Sequence, residues 1–261
     1  MTQTPDHILL LAGTYEARQI ARDLSAEFPE LRMTASFAGV VRDLPNLGVP
    51  SRIGGFGGIS GLVDYLQREK VHMIIDATHP FAAQMSRNAV AAAAGLKLPL
   101  IRLERAPWRA GEGDTWEHVA SMKDAVQTLP RNSRAFLAVG RKEIQLFAER
   151  TDIYGLARMI EPPSASLPDG WDLVLARPAN DVEREIALLI DHRITHIVTK
   201  NSGGKSSYAK IEAARRLQLP VIMVDRPDLP TADTVSDVPE LLVRVDDLLG
   251  TKRLKTSCET D

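Results

Sequence analysis

The sequence predicts an α/β protein of two doubly wound, Rossmann-like lobes with mostly parallel sheets and a cleft between them. Short apolar runs alternate with longer stretches of helical periodicity, and strands ordered in this way pair in parallel through right-handed crossovers. The alternation stops in a stretch rich in Arg, Gly and Asp after residue 104 and then starts again. The length of 261 residues agrees with two such units, since one domain takes roughly 150.

Residues 7–12 read as the first strand and 15–27 as an amphipathic helix. Residues 31–37 form the second strand, 59–69 a helix, 71–75 a third strand, and 82–94 an alanine-rich helix that Gly95 should stop. Residues 98–103 supply a fourth strand, and a helix over 121–129 precedes the polar turn at 130–133. The first lobe is therefore expected to span 1–131. The second, 132–250, repeats the pattern with strands at 135–139, 153–157, 173–176, 196–199 and 221–224. Its helices are expected at 181–191, 206–217 and 238–249, and residues 251–261 read as a disordered tail.

The composition excludes several classes. With 32 basic and 34 acidic side chains the formal charge is −2, so no global field favours nucleic acid or an anionic membrane surface. Cys258 is the only cysteine, which removes internal disulfides, a Cys-x-x-Cys pair and thiolate metal clusters, and fits a reducing cytoplasm. The first apolar run, 8–12, is too short for a signal peptide or a membrane span. The six histidines lack His-Glu-x-x-His spacing, so no metal site is expected. There is no Gly-x-Ser-x-Gly elbow, and Tyr208 and Lys210 stand too close for a Tyr-x-x-x-Lys dyad.

Ligands of open α/β sheets bind beyond the carboxyl ends of the strands, and four segments there carry chemistry. In Gly13-Thr14-Tyr15-Glu16-Ala17-Arg18, Gly13 allows a tight turn and Thr14 can cap the helix, which leaves N–H groups suited to a phosphate. Glu16 would repel a diphosphate unless Arg18 or another cation offsets it; the structural alternative is that Thr14 and Glu16 simply cap the helix. The end of the second strand, Ser36-Phe37-Ala38-Gly39, lacks the Asp or Glu of an NAD site, and Arg42 follows, which points to NADPH; a surface ion pair with Asp43 is the competing fate of Arg42. Gly54-Gly55-Phe56-Gly57-Gly58 places four glycines around an aromatic ring, a composition suited to close approach of backbone to ligand. Thr78, His79 and Pro80 lead into the next helix, with His79 read as a proton donor, a phosphate ligand or a cap. In the second lobe Thr199-Lys200-Asn201-Ser202-Gly203-Gly204-Lys205 combines cations with a Gly-Gly pair able to form an anion nest. It is not a P-loop, because Thr199 stands where that motif needs glycine.

Taken in order, these segments resemble the precorrin-6A reductase family. The match runs over Gly13 to Arg18, Gly54 to Gly58, Asp76-Ala77-Thr78-His79-Pro80-Phe81-Ala82 and Thr199 to Gly204, and closes on Val221-Ile222-Met223-Val224-Asp225-Arg226-Pro227. The resemblance implies hydride transfer from NADPH to the double bond between carbons 18 and 19 of precorrin-6A, giving precorrin-6B in cobalamin biosynthesis. It implies a cofactor site built from Gly13, Thr14, Glu16, Ala17, Arg18, Ser36, Arg42, Gly54 to Gly58, Thr78, His79, Pro80 and the residues Lys200, Asn201, Ser202, Gly203 and Gly204, the last group closing over the cofactor from the second lobe. His79 is the candidate catalytic residue, although hydride addition to such a system needs positioning more than a strong acid. The substrate carries many carboxylates, so Arg102, Arg105, Arg109, Arg141, Lys142 and Arg177 are expected clamps. Transient contact with neighbouring pathway enzymes is a further expectation. Two other classes fit the residues: another NADP-dependent reductase on the same scaffold, and a two-lobe binding protein without turnover.

Overall fold

The computed structural model describes residues 6–37, 46–178 and 180–258. Strand β1 (His7–Ala12) is buried throughout, and its alternate side chains enter two cores: Ile8, Leu10 and Ala12 on one face, Leu9 and Leu11 on the other. Each such burial contributes roughly 1.5–3 kcal/mol against about 0–1 for an exposed ion pair, so burial decides which strand takes the centre. Helix α1 (Tyr15–Glu27) starts where Thr14 Oγ1 accepts from the Ala17 N–H at 3.1 Å, and it buries Ala17, Ile20, Ala21 and Leu24 at helical spacing. Strands β2 (Arg32–Phe37) and β3 (Ser51–Ile53), helix α2 (Gly58–Arg68), strand β4 (Met73–Asp76), helix α3 (Ala83–Leu96) and strand β5 (Leu100–Leu103) follow. Helix α3 does not stop at Gly95. Lys97, at φ 55°, closes it, and the Leu98 N–H reaches back to the Ala93 carbonyl at 2.9 Å while Leu96 and Leu98 join the core.

The chain continues through β6 (Trp116–Val119), α4 (Met122–Thr128), β7 (Arg134–Ala138), α5 (Ile144–Ala148), β8 (Tyr154–Met159), β9 (Asp172–Leu175), α6 (Val182–Asp191), β10 (His196–Lys200), α7 (Ala209–Arg216) and β11 (Val221–Val224), and ends with β12 (Asp233–Val235) and α8 (Val238–Cys258). Where a disordered tail is expected from residue 251, α8 runs on to Cys258; residues 251–258 contain neither Gly nor Pro to break it.

Two compact units result: residues 1–105 with 228–261, and residues 106–227. The division differs from the expected boundary at 131, because the pairing of edge strands is a long-range choice. β6 lies parallel to β11 and so belongs with the second unit, whereas β12 pairs with β5 and returns the chain to the first. The first sheet has the order β12-β5-β4-β1-β2-β3 and the second β6-β11-β10-β7-β8-β9, all pairs parallel. Counting β1 and β7 as the first strand of their sheets, both orders are third, second, first, fourth, fifth, then a sixth strand. The first unit takes that sixth strand from after the second unit, and the second takes its own from before its first strand. In the first unit α1 and α8 cover one face of the sheet while α2 and α3 cover the other. In the second, α6 and α7 share a core with Phe136, Leu156, Ile197 and Met223, and α4 packs on β11 and α5. No helix among the described residues is long and apolar enough to cross a membrane.

Candidate active site

In the first unit the chain order reverses between β1 and β4, and the crevice beyond their carboxyl ends is the ligand position of a doubly wound sheet. Gly13 makes the turn there at φ 145°, exposed, with no atom within 4 Å of where a Cβ would stand. Thr14 works in both directions. Its Oγ1 caps α1 and donates to the Ala77 carbonyl at 2.8 Å, which ties the turn after β1 to the turn after β4. Glu16, in the first turn of α1, is neutralised by Arg105 at 2.8 Å, with both side chains largely buried. The cation that offsets Glu16 is thus Arg105. Arg18 lies 5.7 Å from the Tyr15 ring centroid, and Ala17 is buried beneath the turn.

Asp76 ends β4 almost fully buried, and its Oδ1 accepts from both the Thr78 N–H at 3.2 Å and the Thr78 hydroxyl at 2.7 Å. That carboxylate shapes the turn that presents Thr78, His79 and Pro80. His79 Nδ1 accepts from the Phe81 N–H at 3.3 Å, so in the neutral ring the proton sits on Nε2. The ring thus shapes the turn ahead of α3, whose N-cap position is taken by Ala82 without a side-chain cap bond. Arg102 is only 4% exposed: its Nε lies 3.5 Å from Asp76 Oδ2, and its Nη1 donates to the Pro230 carbonyl at 3.0 Å. It does not fit a carboxylate clamp on a large substrate, because its charge is enclosed and facing Asp76. Asp76 Oδ2, Arg102 Nε and Arg102 Nη2 have no hydrogen-bond partner among the described residues.

The glycine segment forms the turn from β3 into α2. Gly54, Gly57 and Gly58 all have positive φ (102°, 80° and 89°), and the space beside them and Gly55 is open. A fifth glycine, which sequence reasoning missed, closes the turn: a Cβ on Gly61 would stand 1.8 Å from the Phe56 carbonyl oxygen. Arg52 was missed as well. Its Nη1 donates to Ser36 Oγ at 2.8 Å and to the Gly54 carbonyl at 3.0 Å, its Nη2 donates to the Gly55 carbonyl at 3.1 Å, and its guanidinium lies 3.9 Å from the Phe56 ring centroid. The visible signal was an Arg two residues ahead of a glycine run. Arg42 lies outside the described residues.

The second unit treats the loop after β10, the counterpart of the turn after β4, differently. Asn201 is buried, and its side chain accepts from the Trp108 N–H at 2.8 Å and donates to the Trp108 carbonyl at 3.1 Å. Its role here is to clamp the 106–108 segment, with both ends of the amide already engaged. Gly203 is a close-packing glycine, since a Cβ would stand 2.3 Å from the Ala106 carbonyl oxygen and 2.4 Å from Arg226 Nη2. Arg226 donates to the carbonyls of Asn201 at 2.9 Å and Ser202 at 3.2 Å, Trp108 Nε1 donates to the Gly204 carbonyl at 2.9 Å, and Lys200 pairs with Glu143 at 2.8 Å. Beside this loop a cavity of about 470 Å³ opens among Trp108, Asn180, Val182, Lys205, Tyr208 and Glu212. Of the remaining expected clamps, Arg109, Lys142 and Arg177 are exposed, Arg141 is half-buried and Arg105 is held by Glu16.

The family model described as precorrin-6x reductase CbiJ/CobK matches residues 7–246. A precorrin-6A reductase of Rhodobacter capsulatus is 46% identical over 228 residues, covering 87% of this chain and 90% of that protein. A cobalt-precorrin-6A reductase of Priestia megaterium is 30% identical over 248 residues, covering 90% and 96%. Among solved structures, a CobK precorrin-6A reductase superposes with a TM-score of 0.85 at 43% identity, covering 93% of this chain and 97% of that one.

Proposed function

This chain belongs to the precorrin-6x reductase CbiJ/CobK family, and on that premise we propose that it reduces precorrin-6A to precorrin-6B with NADPH in cobalamin biosynthesis. The observation that carries the reading is the β1–β4 crevice, where a glycine turn, a capped thirteen-residue helix and a neutralised Glu16 coincide. Such a helix start offers free N–H groups to a diphosphate, and the Glu16–Arg105 pair removes the charge that would oppose it. The residues fit the cofactor: open space beside Gly13, Gly54, Gly55, Gly57 and Gly58 admits it, and the Arg102–Asp76 pair beneath has unmet donors and an unmet acceptor. Gly13, Thr14 and Ala17 would hold the diphosphate, with Ser36 at the ribose end and Thr78 to Pro80 beside the reactive end.

When bound, NADPH supplies the hydride that one carbon of the substrate double bond receives. Asp76 orients the Thr78 turn, and His79, with its neutral-ring proton on Nε2, would face the ligand as a donor there. The second hydrogen of the addition arrives as a proton, for which solvent suffices. His79→Ala should therefore weaken binding more than it slows turnover. The exposed cations Arg109, Lys142 and Arg177, with Arg141, are the candidates to meet the substrate carboxylates.

The higher identity to the relative named for the metal-free substrate than to the one named for the cobalt form supports precorrin-6A over cobalt-precorrin-6A. An anaerobic assay following NADPH absorbance should show consumption with precorrin-6A and at least tenfold slower consumption with its cobalt complex. If NADPH is not oxidised with either, the proposed activity is wrong.

A further inference from the structure

We propose that Arg52, with Ser36, is the element that reads the 2′-phosphate of the dinucleotide; this rests on the NADPH reading above. In a sheet of this order the adenosine ribose lies beyond the end of the second strand, roughly 20 residues after the glycine turn, where an acid selects NAD and an arginine accommodates the added phosphate. Ser36 stands at that end of β2, and the sheet register places Arg52 of β3 directly beside it.

Three features make Arg52 suited to the task. First, it is oriented before any ligand arrives. The guanidinium is stacked on Phe56 and lies 5.2 Å from the Tyr65 ring centroid, while Ser36 Oγ and the Gly54 and Gly55 carbonyls fix its plane. A fork held in this way loses little side-chain freedom on meeting a phosphate. Second, its charge is uncompensated. Arg105, Arg102, Lys200 and Arg158 each face a carboxylate, whereas Arg52 has no carboxylate partner among the described residues, and burial pulls its pKa below the ordinary arginine value. A partly desolvated cation without a counter-ion favours an anion at that place. Third, because Ser36 Oγ accepts from Arg52, its own hydroxyl hydrogen is directed elsewhere and can donate to the same phosphate.

Arg52 also braces the glycine turn through two carbonyls, so the test must separate propping from reading. Loosening the turn would weaken every dinucleotide, whereas losing the phosphate contact weakens only the phosphorylated one. Dissociation constants for NADPH and NADH, measured by fluorescence titration with no substrate present, provide that contrast. In Arg52→Ala, NADPH affinity should fall about 10- to 100-fold, the range of a charge-assisted hydrogen bond, and NADH affinity by less than about threefold. Arg52→Lys should keep part of the preference and Ser36→Ala should lose a smaller part. Both variants put the idea at risk even if Arg52→Ala folds poorly on a thermal melt. Equal weakening of both dinucleotides, or no weakening of either, overturns the proposal, as does loss of the preference in Arg42→Ala with Arg52→Ala unchanged. A wild-type protein that binds NADPH and NADH equally would sink the cofactor reading itself and this assignment with it, a result distinct from discrimination that survives the Arg52 variants.

Discussion

The two units share a strand order and differ at the turn after the first strand. After β1 the chain turns at Gly13 and enters thirteen residues of helix with a threonine cap; after β7 it turns at Gly140, φ 97°, and enters a helix of five residues whose N-cap, Glu143, makes no side-chain cap bond. The first unit leaves a long helix start open and neutralises the one acid beside it. The second engages its polar side chains internally: Asn201 with Trp108, Arg158 with Glu185, Arg215 with Asp114. The difference teaches that sheet order alone does not make a dinucleotide site. On the proposed reading the first turn decides it, with the length and capping of the helix behind it.

The largest effect that would sharpen this contrast lies in the second unit. Arg158 and Glu185 pair with side chains 6% and 3% exposed, and Glu185 Oε2 already lacks a hydrogen-bond partner among the described residues. Arg158→Met strands a buried carboxylate and should destabilise the protein by about 3–5 kcal/mol in urea unfolding, with most of the loss recovered in Arg158→Met/Glu185→Leu. NADPH affinity of the folded variant should be unchanged. A fall would mean that the internal charges of this unit serve the cofactor after all.

A smaller effect compares the two first turns directly. Gly13→Val and Gly140→Val each force a β-branched residue into a positive φ and should lower stability by about 1–3 kcal/mol. Only Gly13→Val should weaken NADPH, by about tenfold or more, because the side chain also occupies the approach to the helix start. Equal effects on NADPH from both would break the comparison at its root.

A further contrast is the pH response. His7, at the start of β1, is buried between the Glu69 carbonyl and Thr34, and burial holds its pKa below the ordinary value. The unfolded chain therefore binds the extra proton first, and stability from this group, complete above about 6.5, is lost as pH falls below it. In the second unit Lys210 is enclosed against Trp108, and burial, with Arg158 adding to it against the opposing pull of Glu185, pushes it down to about 7. Stability should rise as pH climbs from about 7 towards the ordinary lysine value. Urea midpoints against pH should lose the acid limb in His7→Gln and the alkaline rise in Lys210→Met, each without the other.

Most of the fold was legible because central strands and amphipathic helices have strong local patterns; β1, α1 and β11 fall where the apolar runs place them. The strands that escaped reading are β3, β6 and β12, all at sheet edges, three or four residues long and largely half-buried or exposed. Edge strands lack the two-sided burial that writes an apolar run into sequence. At the site, the Gly13 turn and the Thr14 cap were legible because capping is local chemistry. Arg52 was not, because it meets Ser36 and the glycine carbonyls only once β2 and β3 have paired. Asn201 shows the mirror case: an amide within an anion-type motif is engaged by Trp108, 93 residues away, which no local pattern announces.

The late origin of the first unit's sixth strand also bears on synthesis. As the chain leaves the ribosome, residues 1–105 emerge first, yet their sheet lacks β12 until residue 235 has been made, and β5 waits with an open edge. Residues 106–227 are continuous, so the later unit can complete its sheet first and the earlier one must finish last. Strands thus become available in the reverse of the usual order, N-terminal domain before its successor, and β5 is the edge left unpaired in the interval.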